Sequence, residues 1–110
     1  VIHRCSKGFY DGTIYDPPIA GSKEALKTIS KKFDIVVYSA KARSDRPLIK
    51  NMTGVELIWE WLDKYEMSQY VKEVTAEKPR AVFYIDDKAV RFQGKWDDTF
   101  TSLQRLGYIE

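Results

Sequence analysis

Two adjacent carboxylates follow one of the most apolar short runs of the chain, a position that points to metal chemistry. Asp86 and Asp87 come directly after residues 81–85, Ala-Val-Phe-Tyr-Ile, which predict a buried β-strand. Paired carboxylates suit Mg²⁺, which usually takes one or two of them together with water and substrate phosphate. An adjacent acidic pair is also common as a turn or a helix cap, and that alternative stays open.

A hydroxyl and an amine occupy comparable positions elsewhere in the chain. Ser39 follows the apolar run 33–38, and Lys78 precedes the run 81–85. Ligands of open α/β sheets bind at the carboxyl ends of the strands. There, a hydroxyl and a lysine would orient phosphoryl oxygens and offset their charge. Together with the acidic pair, these residues describe a phosphoryl-transfer site without its nucleophile, although Ser39 could equally cap a turn and Lys78 could be solvated.

The elements that must position these groups alternate between strands and helices. This order predicts an α/β fold with right-handed crossovers and a mostly parallel sheet. Thr53-Gly-Val-Glu56 has the pattern of a capping box, so a helix should begin directly after Thr53. We expect strands over 33–38, 70–75 and 81–85, and helices over 21–32, 53–66 and 97–106, the last with Phe100, Leu103 and Leu106 facing inward.

Composition bounds the possible functions. A chain of 110 residues with 44% hydrophobic content can form one globular domain. The formal charge of +2 argues against general nucleic-acid binding. One cysteine and one histidine exclude a structural zinc cage. No apolar run approaches the roughly 20 residues that span a bilayer, and no export signal is visible, so we expect a cytoplasmic protein without membrane association.

The order of these groups resembles the haloacid dehalogenase superfamily of phosphohydrolases, over nearly the whole chain. Ser39 after Val-Val-Tyr matches the family's second motif, and Lys78 in Glu-Lys-Pro matches the third. Asp86 and Asp87 after Tyr-Ile match the fourth, and the small uncapped members are most similar. The resemblance implies a three-layer Rossmann-like fold, formed as one domain over residues 1–110 with a flap at 1–19 and an α/β core at 20–110. It also implies that Asp86 and Asp87 hold Mg²⁺.

The family's first motif, Asp-x-Asp-Gly at the end of a central strand, is not intact in this chain. One alignment puts Asp11-Gly-Thr there, which leaves Phe9 at the position of the nucleophile. The other treats Val1-Ile-His3 as residues that follow an absent motif, and we prefer it because a similar His-Arg and Ser-Lys-Gly stretch follows the nucleophile loop in the uncapped members. The chain is then expected to lack its central strand, and the remaining sheet to be marginally stable.

The resemblance further implies a Mg²⁺-dependent phosphatase that acts through an aspartyl-phosphate, with the nucleophile upstream of Val1. Ser39 and Lys78 would be catalytic, and Ser39, Ala40, Arg43 and Lys78 would contact the substrate. The 110 residues alone are then expected to be inactive. Substrates would be phosphorylated small molecules or the phosphorylated end of a polymer. The alternatives are a catalytically inactive binding domain and a truncated fragment.

Overall fold

Three α-helices and two short β-strands make up the regular structure in a computed structural model that describes all 110 residues. In chain order they are α1 (Ser22–Ser30), β1 (Val36–Tyr38), α2 (Gly54–Lys64), β2 (Glu73–Thr75) and α3 (Trp96–Arg105). Two short 3₁₀ turns lie at Ala40–Ala42 and Ser68–Tyr70. The chain is therefore a mixed α/β protein, and each of the three predicted helices is confirmed to within about two residues at either end.

The two strands form a parallel pair, as the alternating order predicts. Val37 lies opposite Val74 at the centre of the pair. Beyond the strand itself, the Ser39 N–H donates to the Thr75 carbonyl oxygen at 3.0 Å. The sheet ends at β1 on one side and at β2 on the other, because no third strand is present. The strand predicted at 70–75 is thus confirmed in its last three residues.

Helix α2 begins with the capping box that the sequence predicts. The Glu56 N–H donates to the Thr53 hydroxyl oxygen at 3.2 Å, and the Thr53 N–H donates to the Glu56 carboxylate at 3.0 Å. The second of these bonds stabilises the charged carboxylate and so lowers the pKa of Glu56. Both bonds are local, which explains why the start of this helix can be predicted from sequence.

A small core lies between α2, β2 and the turn that follows β1. Leu62 and Met67 are completely buried in it. The buried hydrophobic residues are Leu26, Ala42, Ile58, Trp61, Leu62, Met67, Val71 and Val74. Every one of them precedes residue 76, so the last third of the chain contributes no buried side chain to the core.

The strand predicted at 81–85 does not form, and that prediction is wrong for this chain. Val82 is 82% exposed and Ile85 is 60% exposed. An apolar run of this kind is stable as a strand only when neighbouring strands pair with it and other layers cover both of its faces. Here the sheet ends at β1, so residues 81–85 have no strand to pair with.

Helix α3 forms where it is predicted, but the inward orientation expected of Phe100 and Leu106 is wrong, and Leu103 is only half-buried. No residue of α3 is buried, and Phe100 and Leu106 are 50% and 61% exposed. The radius of gyration is 15.9 Å, against roughly 13 Å for a compact domain of this length. The open shape follows from a core that ends before residue 76. No helix of the chain combines the length and the apolar character that a membrane crossing requires.

Candidate functional site

Asp86 and Asp87 lie together at a cavity of about 290 Å³. The cavity separates the end of the 81–85 run from the start of the flap, residues 1–19. Its other lining residues are Val1, His3, Arg4, Ile19 and Ile85. Two carboxylates therefore share this space with an imidazole and a guanidinium, groups that suit a cation and an anion bound side by side.

The two carboxylates differ in what they already bind. The Lys88 N–H donates to one oxygen of Asp86 at 2.8 Å, so Asp86 also closes a local turn. The Asp87 carboxylate accepts no hydrogen bond from the chain. Both oxygens of Asp87 and the second oxygen of Asp86 are thus free for another partner. The local turn occupies only one of the four carboxylate oxygens.

The donor set fits Mg²⁺ held with few protein ligands. No three side chains among the histidine, the cysteine, the aspartates and the glutamates converge on one point. A closed cage of the zinc or calcium type therefore has no ligands here. Two adjacent carboxylates are, however, enough for Mg²⁺ when water and a substrate phosphate fill its other positions.

Ser39 lies at the carboxyl end of β1, where the sequence places it. Its side-chain oxygen accepts the Lys41 N–H at 3.1 Å and caps the turn Ala40–Ala42. The Ser39 oxygen therefore caps a turn, as one of the two interpretations of the sequence expects. The hydroxyl hydrogen remains free to be donated to a ligand, because a serine side chain carries one donor besides its acceptor sites.

Lys78 and Arg43 do not line the cavity of Asp86 and Asp87. The Lys78 ammonium lies 4.8 Å above the ring centroid of Tyr84, in a cation–π contact on the 81–85 run. Arg43 forms an exposed ion pair with Asp45. Ser39 and Ala40 are likewise absent from the cavity wall, so of the predicted site residues the structure brings together the two carboxylates alone.

Lys41 is a buried lysine that the sequence does not distinguish from its charged neighbours. The residue is 5% exposed. Its ammonium donates to the Thr13 carbonyl oxygen and lies 4.6 Å from the ring centroid of Tyr15. Burial lowers the pKa of Lys41. The lysine thus fixes the flap to the turn that follows β1.

Arg46 holds the same two segments together through backbone oxygens. Its guanidinium donates to the Lys41 carbonyl at 3.1 Å and to the Asp11 carbonyl at 2.9 Å. The guanidinium also lies 4.6 Å from the ring centroid of Phe9. A side chain at Gly12 would begin 1.5 Å from the Arg46 guanidinium, at a φ of +83°. The flap can therefore approach Arg46 this closely only with glycine at position 12.

His3 is a second functional candidate, which the sequence alone leaves out of the site because a lone histidine in a flap is more often simply exposed. The Asp16 N–H donates to its Nε2 at 2.8 Å, so neutral His3 carries its proton on Nδ1, 3.0 Å from the sulfur of Cys5. Burial, with a smaller contribution from Lys41, lowers the pKa of His3. Trp61 packs edge-on against the imidazole at 5.7 Å. The ring is thus fixed at the cavity, which a lone histidine near the start of a chain does not reveal.

Comparisons of the chain with protein-family models, with curated protein sequences and with solved structures find no match. What the structure establishes is a mixed α/β protein with a small parallel sheet, and a cavity whose lining includes Asp86 and Asp87 but no residue of either strand.

Proposed function

We propose that the chain forms the metal-binding and core part of a Mg²⁺-dependent phosphohydrolase of the haloacid dehalogenase type. The observation that carries the proposal is the cavity in which Asp86 and Asp87 stand beside His3 and Arg4. The two carboxylates offer oxygen ligands for Mg²⁺, and the Arg4 guanidinium beside them offers donors to the phosphate that Mg²⁺ would bind.

Each residue of the cavity has a separate task in this proposal. Asp86 and Asp87 hold Mg²⁺ through the oxygens that accept no bond from the chain. When bound, Mg²⁺ offsets negative charge on the phosphoryl oxygens. Arg4 donates to a phosphoryl oxygen from the flap side, since guanidinium groups match phosphate geometry. In a three-layer Rossmann-like arrangement, Ser39 would lie close enough to donate its hydroxyl hydrogen to a phosphoryl oxygen. Lys78 would then exchange its contact with Tyr84 for one with the phosphoryl group.

The nucleophile does not come from the flap. The Asp11 carboxylate accepts the Thr13 N–H at 3.0 Å and the Thr13 hydroxyl. Residues 6–12 form turns, so no strand delivers Asp11 to the cavity. Phe9, two residues before, has no nucleophilic atom. These contacts favour the alignment in which Val1 follows the motif, because Val1 itself lines the cavity of Asp86 and Asp87.

The reaction then requires two aspartates from residues joined to Val1. The first carboxylate attacks phosphorus and forms an acyl phosphate, while the bond from phosphorus to the ester oxygen breaks. The second aspartate gives its proton to the departing alcohol. Water then attacks phosphorus, loses a proton to the second aspartate, and releases phosphate and the first carboxylate. The substrates are phosphate monoesters, either small molecules or the phosphorylated end of a polymer.

Magnesium binding can be tested with the 110 residues alone. Asp87→Asn should weaken Mg²⁺ binding by at least about tenfold in a calorimetric titration, because it removes one of two ligands. Asp98→Asn is the matched control, since Asp97 and Asp98 form an equally adjacent acidic pair in the first turn of α3. Equal binding by both variants, or no binding by the unaltered chain, would overturn the metal site.

Hydrolysis is tested on a chain extended before Val1 by an apolar strand that ends in Asp-x-Asp-Gly. We expect Mg²⁺-dependent hydrolysis of p-nitrophenyl phosphate, with none from the 110 residues alone, because losing a covalent nucleophile costs on the order of a millionfold in rate. Asp86→Asn in the extended chain should abolish this activity. Undiminished hydrolysis by that variant, or by the chain without the extension, contradicts the proposal.

A phosphate-binding domain without catalysis is the second candidate. It is favoured by Lys78, whose ammonium rests on Tyr84 and not at the cavity. This candidate expects the extended chain to bind a phosphate monoester in the presence of Mg²⁺ and to release no phosphate. Calorimetry and phosphate release, measured on the same preparation, distinguish the two candidates.

A further inference from the structure

We propose that a second cavity, between the flap and α2, binds a small aromatic carboxylate. This space, the flap–α2 cavity, has a volume of about 180 Å³. Residues 13–15 of the flap form one wall, Ile49 and Lys50 form a second, and one face of α2 forms the third. The flap–α2 cavity shares no residue with the cavity of Asp86 and Asp87, so a ligand here would not require the proposed Mg²⁺ site.

The α2 wall of the flap–α2 cavity is a single stripe of the helix. Leu57, Trp61 and Lys64 follow one another at intervals of four and three residues, which brings them to the same face. The adjacent stripe of α2 is buried in the core through Ile58 and Leu62. The core therefore holds this wall in place before any ligand binds.

Two aromatic side chains of the cavity wall are fixed by hydrogen bonds to the flap. The Trp61 indole N–H donates to the Asp16 carbonyl oxygen at 2.8 Å. The Tyr15 hydroxyl accepts the Lys7 N–H at 2.9 Å and donates to the Gly8 carbonyl oxygen. Because both polar ends already have partners, these side chains offer a ligand aromatic surface, which a further aromatic ring matches.

The volume of the flap–α2 cavity limits the ligand to a single ring. An apolar space of about 150 Å³ holds one benzene molecule. A cavity of about 180 Å³ therefore leaves room for one ring and one small polar group. Sites for drug-sized ligands and cofactors are larger, at about 300–1,000 Å³. The ligand is thus smaller than a nucleoside.

The charges of the cavity wall favour an anion. Two lysines and one glutamate line the cavity, namely Lys50, Lys64 and Glu60, so the wall carries a net charge of +1. None of the three belongs to an ion pair of the chain. The Lys64 ammonium lies 5.4 Å from the ring centroid of Tyr65, which also lines the cavity. A monoanion would neutralise this wall, whereas a cation would add to its positive charge.

Lys50 has a backbone conformation that a lysine rarely adopts. Ile49 and Met52 exchange two backbone hydrogen bonds, at 3.0 and 2.9 Å, so Lys50 and Asn51 are the central residues of a two-residue turn. Their φ angles are +53° and +63°. Asparagine tolerates such angles better than lysine does. Lys50→Asn should therefore keep the turn while it removes the ammonium from the cavity wall.

The site is tested by titrating the 110-residue chain with benzoate at constant ionic strength and following the Trp61 indole N–H by NMR. Benzamide has nearly the same shape without the charge and is the matched control ligand. We expect benzoate to bind with a dissociation constant of about 1 mM or tighter. Benzamide should bind at least about fivefold more weakly. Equal binding of the two ligands, or an unchanged Trp61 indole signal, would refute the site.

Charge-removing variants separate this cavity from unspecific attraction to lysines. Lys50→Asn and Lys64→Gln should each weaken benzoate binding about threefold, because each removes one ammonium from the wall. Lys27→Gln is the matched control, since Lys27 is an exposed lysine in the last turn of α1 and does not line the cavity. Circular dichroism checks that all three variants keep the helices. Benzoate binding that is unaltered in both cavity variants, or weakened as much in the control, would overturn the proposal.

Phenyltrimethylammonium tests the opposite charge on the same ring. Three aromatic residues and Glu60 line the cavity, and such a set would also suit a quaternary ammonium ion. Because Lys50 and Lys64 repel a cation, we expect no shift of the Trp61 indole signal at concentrations at which benzoate saturates. Binding of the cation as tight as that of benzoate would overturn the proposed ligand class.

Discussion

Residues 20–75 and residues 76–110 are both rich in apolar side chains, yet only the first region builds a core. All eight buried hydrophobic residues precede residue 76. Ten of the fifteen exposed large hydrophobic residues follow it. The first region contains β1, β2 and α2, which cover one another, whereas α3 and the run 81–85 have no sheet face to cover. Burial is thus decided by the presence of a neighbour and not by apolar content alone.

The largest change in the free energy of unfolding is expected when a substitution creates a cavity in the core of the first region. Leu62 is completely buried against the other core residues. Leu62→Ala should therefore lower the free energy of unfolding by about 2–5 kcal/mol, through lost burial and an unfilled space. Urea unfolding followed by circular dichroism measures the change. A loss below about 1 kcal/mol would show that the first region is as loosely packed as the second.

A smaller effect is expected from the capping box of α2. Thr53→Ala removes the acceptor for the Glu56 N–H and should cost about 1 kcal/mol of unfolding free energy. Thr101→Ala is the control in α3, where the hydroxyl merely donates to the Asp97 carbonyl. That substitution should stay within about 0.5 kcal/mol. Equal losses for the two variants would mean that the capping box adds no stability beyond that of a threonine within a helix.

The flap should respond to acid through His3. The His3 pKa lies below its usual value of about 6.5, because burial disfavours the charged ring. The unfolded chain then takes up the proton first, so the stability that His3 provides is complete above pH 6.5 and declines as the pH falls below it. Protonation of Nε2 also removes the acceptor for the Asp16 N–H.

The measurement is hydrogen exchange at the Asp16 amide, which should accelerate as the pH falls below 6.5, after correction for the intrinsic rate. Of the charged groups that act on the ring, Lys41 and the Val1 amino group oppose protonation, while Asp16 favours it. His3→Gln should remove the pH dependence. If exchange at the Asp16 amide in that variant still depends on pH in the same way, another titrating group is responsible.

The smallest effect is expected in α3. Phe100 is 50% exposed, and its ring has only Trp96 as an aromatic neighbour, at 6.3 Å. Phe100→Ala in the 110-residue chain should change the free energy of unfolding by no more than about 0.5 kcal/mol. A loss above about 1 kcal/mol would show that the Phe100 ring contributes to the packing of the chain.

The parts of the fold that sequence predicts well are those that local bonds decide. The capping box at Thr53 and Glu56 forms within a single turn, so it needs no distant partner. The run 81–85 has a stronger strand pattern than β2, but it fails to form a strand because strand formation depends on a neighbour that these residues do not supply. The strand predicted at 70–75, by contrast, forms over its last three residues because β1 lies beside it.

The sequence predicts some residues of the candidate site and not others, for the same reason. Asp86 and Asp87 are adjacent in sequence, so they stay together whatever the chain does around them. Ser39 and Lys78 depend on the sheet to reach that place, and neither lines the cavity. Lys41 and His3 were missed because burial of a charged or titratable side chain arises from flap contacts, and residue type alone carries no sign of it.

Arg46 anchors the flap through the carbonyl oxygen of Asp11, a group that every amino acid possesses. Saturation mutagenesis of the flap should therefore recover many residue types at position 11 and fewer at position 12, where a side chain would displace the Arg46 guanidinium and the backbone φ is +83°. A profile of tolerated substitutions would thus show a sharp step between two neighbouring positions, and that step would locate the anchor even before any coordinates were known.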